Sequence, residues 1–85
     1  MKFFIFEPDH YASYVGNRLG YCITSEGDFI GNWISSSRAF LEYDLTNLAK
    51  SKYPDAKDFI FLTYDELDGN TEFQAALGLA RAKGF

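Results

Sequence analysis

The sequence predicts an α+β domain: a mixed, mainly antiparallel four-stranded sheet in the order β-(α)-β-β-α-β-α, with helices packed mainly on one face. Three observations lead there. Two short Phe-rich runs, Phe3-Phe4-Ile5-Phe6 and Phe59-Ile60-Phe61-Leu62, are apolar at consecutive positions, the pattern of strands covered on both faces. Gly27-Asp28 lies between two strand-like runs and marks a hairpin. Two later segments repeat apolar residues at helical spacing.

Eighty-five residues are enough for one domain, residues 1–85, and leave no room for a second core. Hydrophobic residues make up 47% of the chain and aromatics 19%, with nine Phe, six Tyr and one Trp, so the composition is that of a folded chain rather than a disordered one. A single cysteine, Cys22, excludes an internal disulfide, and a reducing, cytoplasmic setting is the expectation. The apolar run after Lys2 stops at Glu7-Pro8, too short for a secretory signal and far too short to cross a bilayer.

Taken in order, Lys2 to Glu7 forms the first strand, closed by Pro8. Asp9 stands where a helix cap belongs, and Tyr11, Tyr14 and Val15 at i, i+3, i+4 predict one or two helical turns. Leu19 to Glu26 and Phe29 to Ile34 follow as a hairpin on a two-residue Gly27-Asp28 loop. In that register Cys22 faces Trp33, Ile23 faces Asn32 and Tyr21 faces Ile34. Alternation then puts Tyr21, Ile23, Ile30 and Ile34 on a core face, and Cys22, Phe29 and Trp33 on the other.

Ser35-Ser36-Ser37 predicts a helix start, since a serine hydroxyl accepts from an orphan N–H of the first turn. Leu41, Leu45 and Leu48, widened by Phe40 and Ala49, form its apolar stripe as far as about Ser51, and Tyr53-Pro54 ends it. The strand from Asp58 to Tyr64 is expected at the centre of the sheet. Thr63-Tyr64-Asp65-Glu66 has capping-box spacing, and Asp68-Gly69-Asn70-Thr71 interrupts and restarts the helix. Phe73, Ala76, Leu77 and Ala80 then make the cleanest amphipathic pattern in the chain, closed by Lys83-Gly84.

The chemistry-bearing residues are few. His10 is the only histidine, and with Cys22 and Trp33 it defines the one pocket an enzyme or ligand-binding domain could use. The oxygen-rich stretch around Gly69 fails the calcium-loop spacing, because the first and twelfth positions would be Tyr64 and Ala75, so no metal is expected. The glycines match no nucleotide-binding pattern, and no cofactor is expected.

Charge carries the functional reading. The formal charge is −4, from 12 acids against 8 bases, which argues against a nucleic-acid or anionic-membrane ligand. Asp55, Asp58, Asp65, Glu66, Asp68 and Glu72 against Lys57 alone put a formal −5 on residues 55–72, leaving the remainder near neutral. Acids beside exposed aromatics suit a basic protein partner. The expectation is therefore a small acidic, non-enzymatic protein-protein interaction module. It would act as a regulator or inhibitor, docking through Trp33, Tyr64, Asp65, Glu66, Asp68 and Glu72 on a basic partner. If that partner holds nucleic acid, the acids could imitate phosphates, as small phage or plasmid anti-defence proteins do. The alternatives are the His10/Cys22 pocket near Trp33 and a homodimer closed by the Trp33 face.

Overall fold

Every side chain from Phe3 to Phe6 is buried, so the strand they form has no solvent face and must be covered from above and below. The computed structural model describes residues 1–9 and 17–85. In chain order it contains β1 (Lys2–Phe6), β2 (Arg18–Thr24), β3 (Phe29–Ser35), α1 (Arg38–Lys52), β4 (Asp58–Leu62), a single 3-10 turn (Tyr64–Glu66) and α2 (Thr71–Ala82). The sheet order is β3-β2-β1-β4, with β4 parallel to β1 and the other pairs antiparallel. Fold class, strand number and the order of these elements are as the sequence predicts. The expected helical turns after Asp9 fall on residues 10–16, outside the described residues.

Alternation along β1 sorts the core into two layers. Phe3 and Ile5, with Cys22 and Ile30, pack under Leu41, Leu45 and Ala49 of α1. Phe4 and Phe6, with Ile23 and Leu62, pack against Phe73, Ala76 and Ala80 of α2. One helix therefore covers each face, where the sequence suggested helices mainly on one. The physical reason is the run Phe3–Phe6 itself, which presents large apolar side chains in both directions and leaves no face that water could cover.

Strand placement differs as well. β1, and not β4, is central; β4 lies at the margin, where Phe61 is 37% exposed. α1 sits mainly on β3 and β2, and of the four strands only β1 is buried throughout its apolar run. Gly20 permits this approach, because a Cβ there would stand 2.8 Å from a Leu41 methyl and 3.0 Å from one of Leu45. The stripe of α1 is narrower than expected, and Phe40 is exposed on its outer side.

The hairpin also turns differently. Cys22 pairs with Gly31 and Ile23 with Phe29, so Ile30 is an extra residue in β3, a bulge. The bulge carries Ile30 to the α1 side with Cys22, while Ile23 faces α2 and Ile34 is exposed; the four residues expected on one core face are split. The connection runs from Thr24 to Asp28 because buried Thr24 organises it. Its hydroxyl accepts from the N–H groups of Glu26 and Asp28, and its own N–H donates to the Asp28 carbonyl at 2.9 Å. Gly27 takes φ +86° with its Cα against the backbone of Leu79 and Ala80, so a side chain there would be both strained and obstructed. Lys83 closes the contact between this loop and α2 by donating to the Glu26 carbonyl and to Asp28 Oδ1.

Capping follows the sequence closely. Ser37 Oγ accepts from the Phe40 N–H to start α1, and Asn70 Oδ1 accepts from the Phe73 N–H to start α2. Gly84 ends α2 at φ +101°.

Phe73 is the keystone of the α2 layer, with no exposed surface and edge-on rings to Phe4 and Phe6 at 5.7 and 4.7 Å. Phe73→Ala should destabilise the domain by about 3–5 kcal/mol, a large share of the roughly 5–15 kcal/mol typical of small domains. Urea unfolding of the variant against the wild type checks this; a loss below about 1 kcal/mol would mean that the α2 layer is not packed as described.

Candidate functional site

The β4 margin is one of the places where the molecule exposes groups that a partner could use; Phe40 and Tyr43 on α1 and Trp33 and Ile34 on β3 are others. In a strand, the N–H and C=O of one residue point to the same side and those of the next point oppositely. The Leu62 carbonyl accepts from the Glu7 N–H at 3.2 Å and so points toward β1. Leu62 and Ile60 therefore direct their backbone groups inward, while Phe59 and Phe61 direct theirs to the outer edge. Among the described residues no strand pairs with that edge.

The side chains of Phe59 and Phe61 lie on the α1 side, beyond the reach of most of that helix. Their rings are stacked, with centroids 6.5 Å apart and planes 14° from parallel. Phe59 is half-buried against Phe3, and Lys50 Nζ stands 6.0 Å above its ring, at the outer limit of a cation-π contact. Near the start of β4 a cleft of about 300 Å³ opens between Met1, Phe3, Tyr53 and the 54–58 connection. Lys52 and Lys57 line it together with Asp55 and Asp58, so that end has a mixed charge.

The other end of β4 is rich in acids, with no Lys or Arg between Thr63 and Glu72 in the sequence, although Arg38 of α1 acts electrostatically on Glu66. Tyr64, Asp65, Glu66 and Asp68 are brought together by one tight turn and all are exposed. The Glu66 carboxylate accepts from the Thr63 N–H at 2.9 Å and from the Thr63 hydroxyl at 2.8 Å. These two bonds, foremost that from the backbone N–H, hold its pKa below the ordinary glutamate range. They also occupy the outward N–H of Thr63, so the open edge ends at Leu62. Glu72 is set apart from this group by its ion pair with Lys2, which removes one acid from the −5 span. Asp68 makes no hydrogen bond or ion pair with any described residue.

Trp33 does not belong to this surface. It lies on β3, opposite Gly20 of β2, and is 50% exposed, at the other edge of the sheet and about 14 Å from β4 at the usual strand spacing. The six residues expected to form one docking surface thus divide into a cluster of four, an ion-paired Glu72 and a distant Trp33. Phe61 is one exposed aromatic that sequence reasoning missed, along with Phe40 and Tyr43 on α1. The apolar run of β4 predicts a central strand, and only the strand order reveals Phe61 as marginal.

The pocket expected from Cys22 and His10 is half testable. Cys22 has no exposed surface, and burial pushes its thiol up to about 12, so it is a neutral packing residue at physiological pH. His10 lies outside the described residues. Among the described residues, no three His, Cys, Asp or Glu side chains are grouped to hold a metal ion, and no helix is long and apolar enough to cross a membrane.

The Glu66 cap makes a pH-dependent prediction. A carboxylate with a lowered folded-state pKa contributes stability above its unfolded pKa and loses it as pH falls through the folded value. Glu66→Ala should therefore lower the Tm at neutral pH, with the gap to wild type closing as the pH drops below the ordinary glutamate range. A gap unchanged at acid pH would show that the cap is not ionic. Compared with known protein families, curated proteins and solved structures, the chain has no match.

Proposed function

We propose that this protein is a small non-enzymatic interaction module, a regulator or inhibitor that docks on a basic protein partner through the β4 margin. The observation that carries the reading is the coincidence of an open strand edge, the exposed aromatics Phe61 and Tyr64, and the Asp65-Glu66-Asp68 turn at its end. Aromatics supply contact area that is worth burying, while acids on the rim steer an oppositely charged partner and set its orientation. A partner whose basic surface normally holds nucleic acid fits the same chemistry. The proposed setting is cytoplasmic, consistent with a single cysteine kept as a buried thiol.

Affinity capture from native lysate, with wild type and an Asp65→Asn/Asp68→Asn variant side by side, tests this. The expected result is a basic protein retained by the wild type, released as salt rises from about 0.05 to 0.2 M, and retained poorly by the variant. Capture insensitive to both salt and the substitutions would contradict the proposal. A two-copy sedimentation mass that falls to one copy on Trp33→Ala would move the function to β3 and to self-association.

A further inference from the structure

We infer that Asp68-Gly69 is a site of spontaneous covalent modification, where the chain rearranges through a cyclic imide to an isoaspartyl linkage. The inference stands apart from the proposed docking role and rests on the chemistry of one turn. Ring closure needs a carboxyl and the amide nitrogen of the next residue to meet, each free of other bonds. Asp68 is exposed, and its carboxylate has no hydrogen bond or ion pair with any described residue; the Gly69 N–H likewise donates to none. Glycine leaves that nitrogen unshielded, and nothing lies within 4 Å of the position a Cβ would take there. The turn is also loosely held, because the bonds from the Leu67 N–H to the Tyr64 carbonyl and from the Asn70 N–H to the Leu67 carbonyl are both 3.3 Å, beyond the usual length. Rotation about ψ of Asp68 then brings the two groups together, and neighbours in one chain react at high effective concentration. No other Asp or Asn precedes a glycine. Elsewhere the attacking nitrogen is engaged: Asp55 precedes Ala56, whose N–H donates to the Tyr53 carbonyl at 2.9 Å, and Asp65 precedes Glu66, whose N–H donates to the Thr63 carbonyl at 3.0 Å. Asp28 is ion-paired with Lys83.

The rearrangement balances with water alone. The Gly69 nitrogen attacks the carbonyl carbon of the protonated Asp68 carboxyl, the new C–N bond closes a five-membered imide, and the amide proton leaves with the carboxyl hydroxyl as water. Water then adds back to one of the two imide carbonyls. Opening at the side-chain carbonyl restores aspartate. Opening at the main-chain carbonyl routes the chain through Asp68 Cγ, one carbon longer, and leaves the former main-chain carbonyl as a free carboxylate. Mass and formal charge end unchanged; the path of the backbone does not. Asn70 lies two residues on, and its side chain caps α2 by accepting from the Phe73 N–H at 2.8 Å. The added carbon falls inside the ring closed by the Asn70 N–H and the Leu67 carbonyl, which positions that cap. Isomerisation at Asp68 therefore loosens the first turn of α2.

The test incubates the whole protein in neutral buffer at physiological temperature beside Gly69→Ala and Asp68→Glu. Both variants keep the charge and should fold, since residue 69 has no positive φ and has room for a Cβ, while glutamate would have to close a less favourable six-membered ring. Isoaspartate is read by methyl transfer from labelled S-adenosylmethionine with a protein isoaspartyl methyltransferase, and its position is fixed by fragmentation in the mass spectrometer. The wild type should accumulate it at residue 68, with a minor species lighter by one water marking the imide, and both variants should accumulate it there severalfold more slowly. Equal accumulation in wild type and Gly69→Ala, or wild-type label concentrated at another residue, would overturn the inference. So would a wild-type rate at residue 68 far below that of a blocked 64–74 peptide, because the fold would then be protecting the turn. The isoaspartyl fraction, separated by ion exchange, should melt lower than fresh protein by about 4–8 °C, the shift of a lost helix cap in a domain of this size. An unchanged Tm would overturn the coupling to α2.

Discussion

A strand with no solvent face is the constraint on which the rest of this structure depends. Phe3, Phe4, Ile5 and Phe6 project alternately, and each direction must find an apolar cover. That requirement places β1 between β2 and β4, sends α1 to one side and α2 to the other, and divides the interior into two layers that meet only through the backbone of the sheet. Cys22 and Ile23, adjacent in β2, consequently belong to different layers. The bulge at Ile30 is a further consequence, since it restores a large side chain to the α1 layer beside Gly31.

Covering the centre of a four-stranded sheet with only two helices leaves its margins exposed. On the β3 side the exposed residues are Phe29, Trp33 and Ile34; on the β4 side they are Phe61 and Tyr64. The two margins differ in what surrounds them. β4 ends in an acidic turn whose first N–H is already occupied by Glu66, while β3 leads directly into the serine cap of α1. Neither edge strand carries lysine or proline, but β3 is interrupted by the bulge at Ile30, whose carbonyl accepts from Lys52, while β4 is regular, and this contrast is the reason for proposing a docking role for β4 rather than for Trp33.

Much of this was legible before any coordinates. Local signals held wherever a single residue decides the geometry: the Ser37 cap, the Thr63–Glu66 pairing, the Asn70 restart and the Gly84 stop all lie where their chemistry places them. The Phe73-Ala76-Ala80 stripe held for the same reason, because helical spacing fixes a face. What failed depended on long-range pairing. Phe59–Leu62 looks as apolar as Phe3–Phe6, and nothing within either run states which is central. The Gly27-Asp28 pair suggested a tight turn, but the Thr24 hydroxyl and the proximity of Leu79 select a longer one. The candidate site was legible only as a charge run. Ion pairing removed Glu72, and sheet order separated Trp33 and added Phe61.

Native-state hydrogen exchange resolved residue by residue tests the central claim most directly. If β1 is enclosed on both faces and paired on both edges, the amides of Phe4, Ile5 and Phe6 should all exchange only with global unfolding. Along β4 the amides of Ile60 and Leu62 should be protected and those of Phe59 and Phe61 open to solvent. Uniform protection along β4 together with alternating protection along β1 would contradict the account, because it would make β4 the inner strand and β1 the margin.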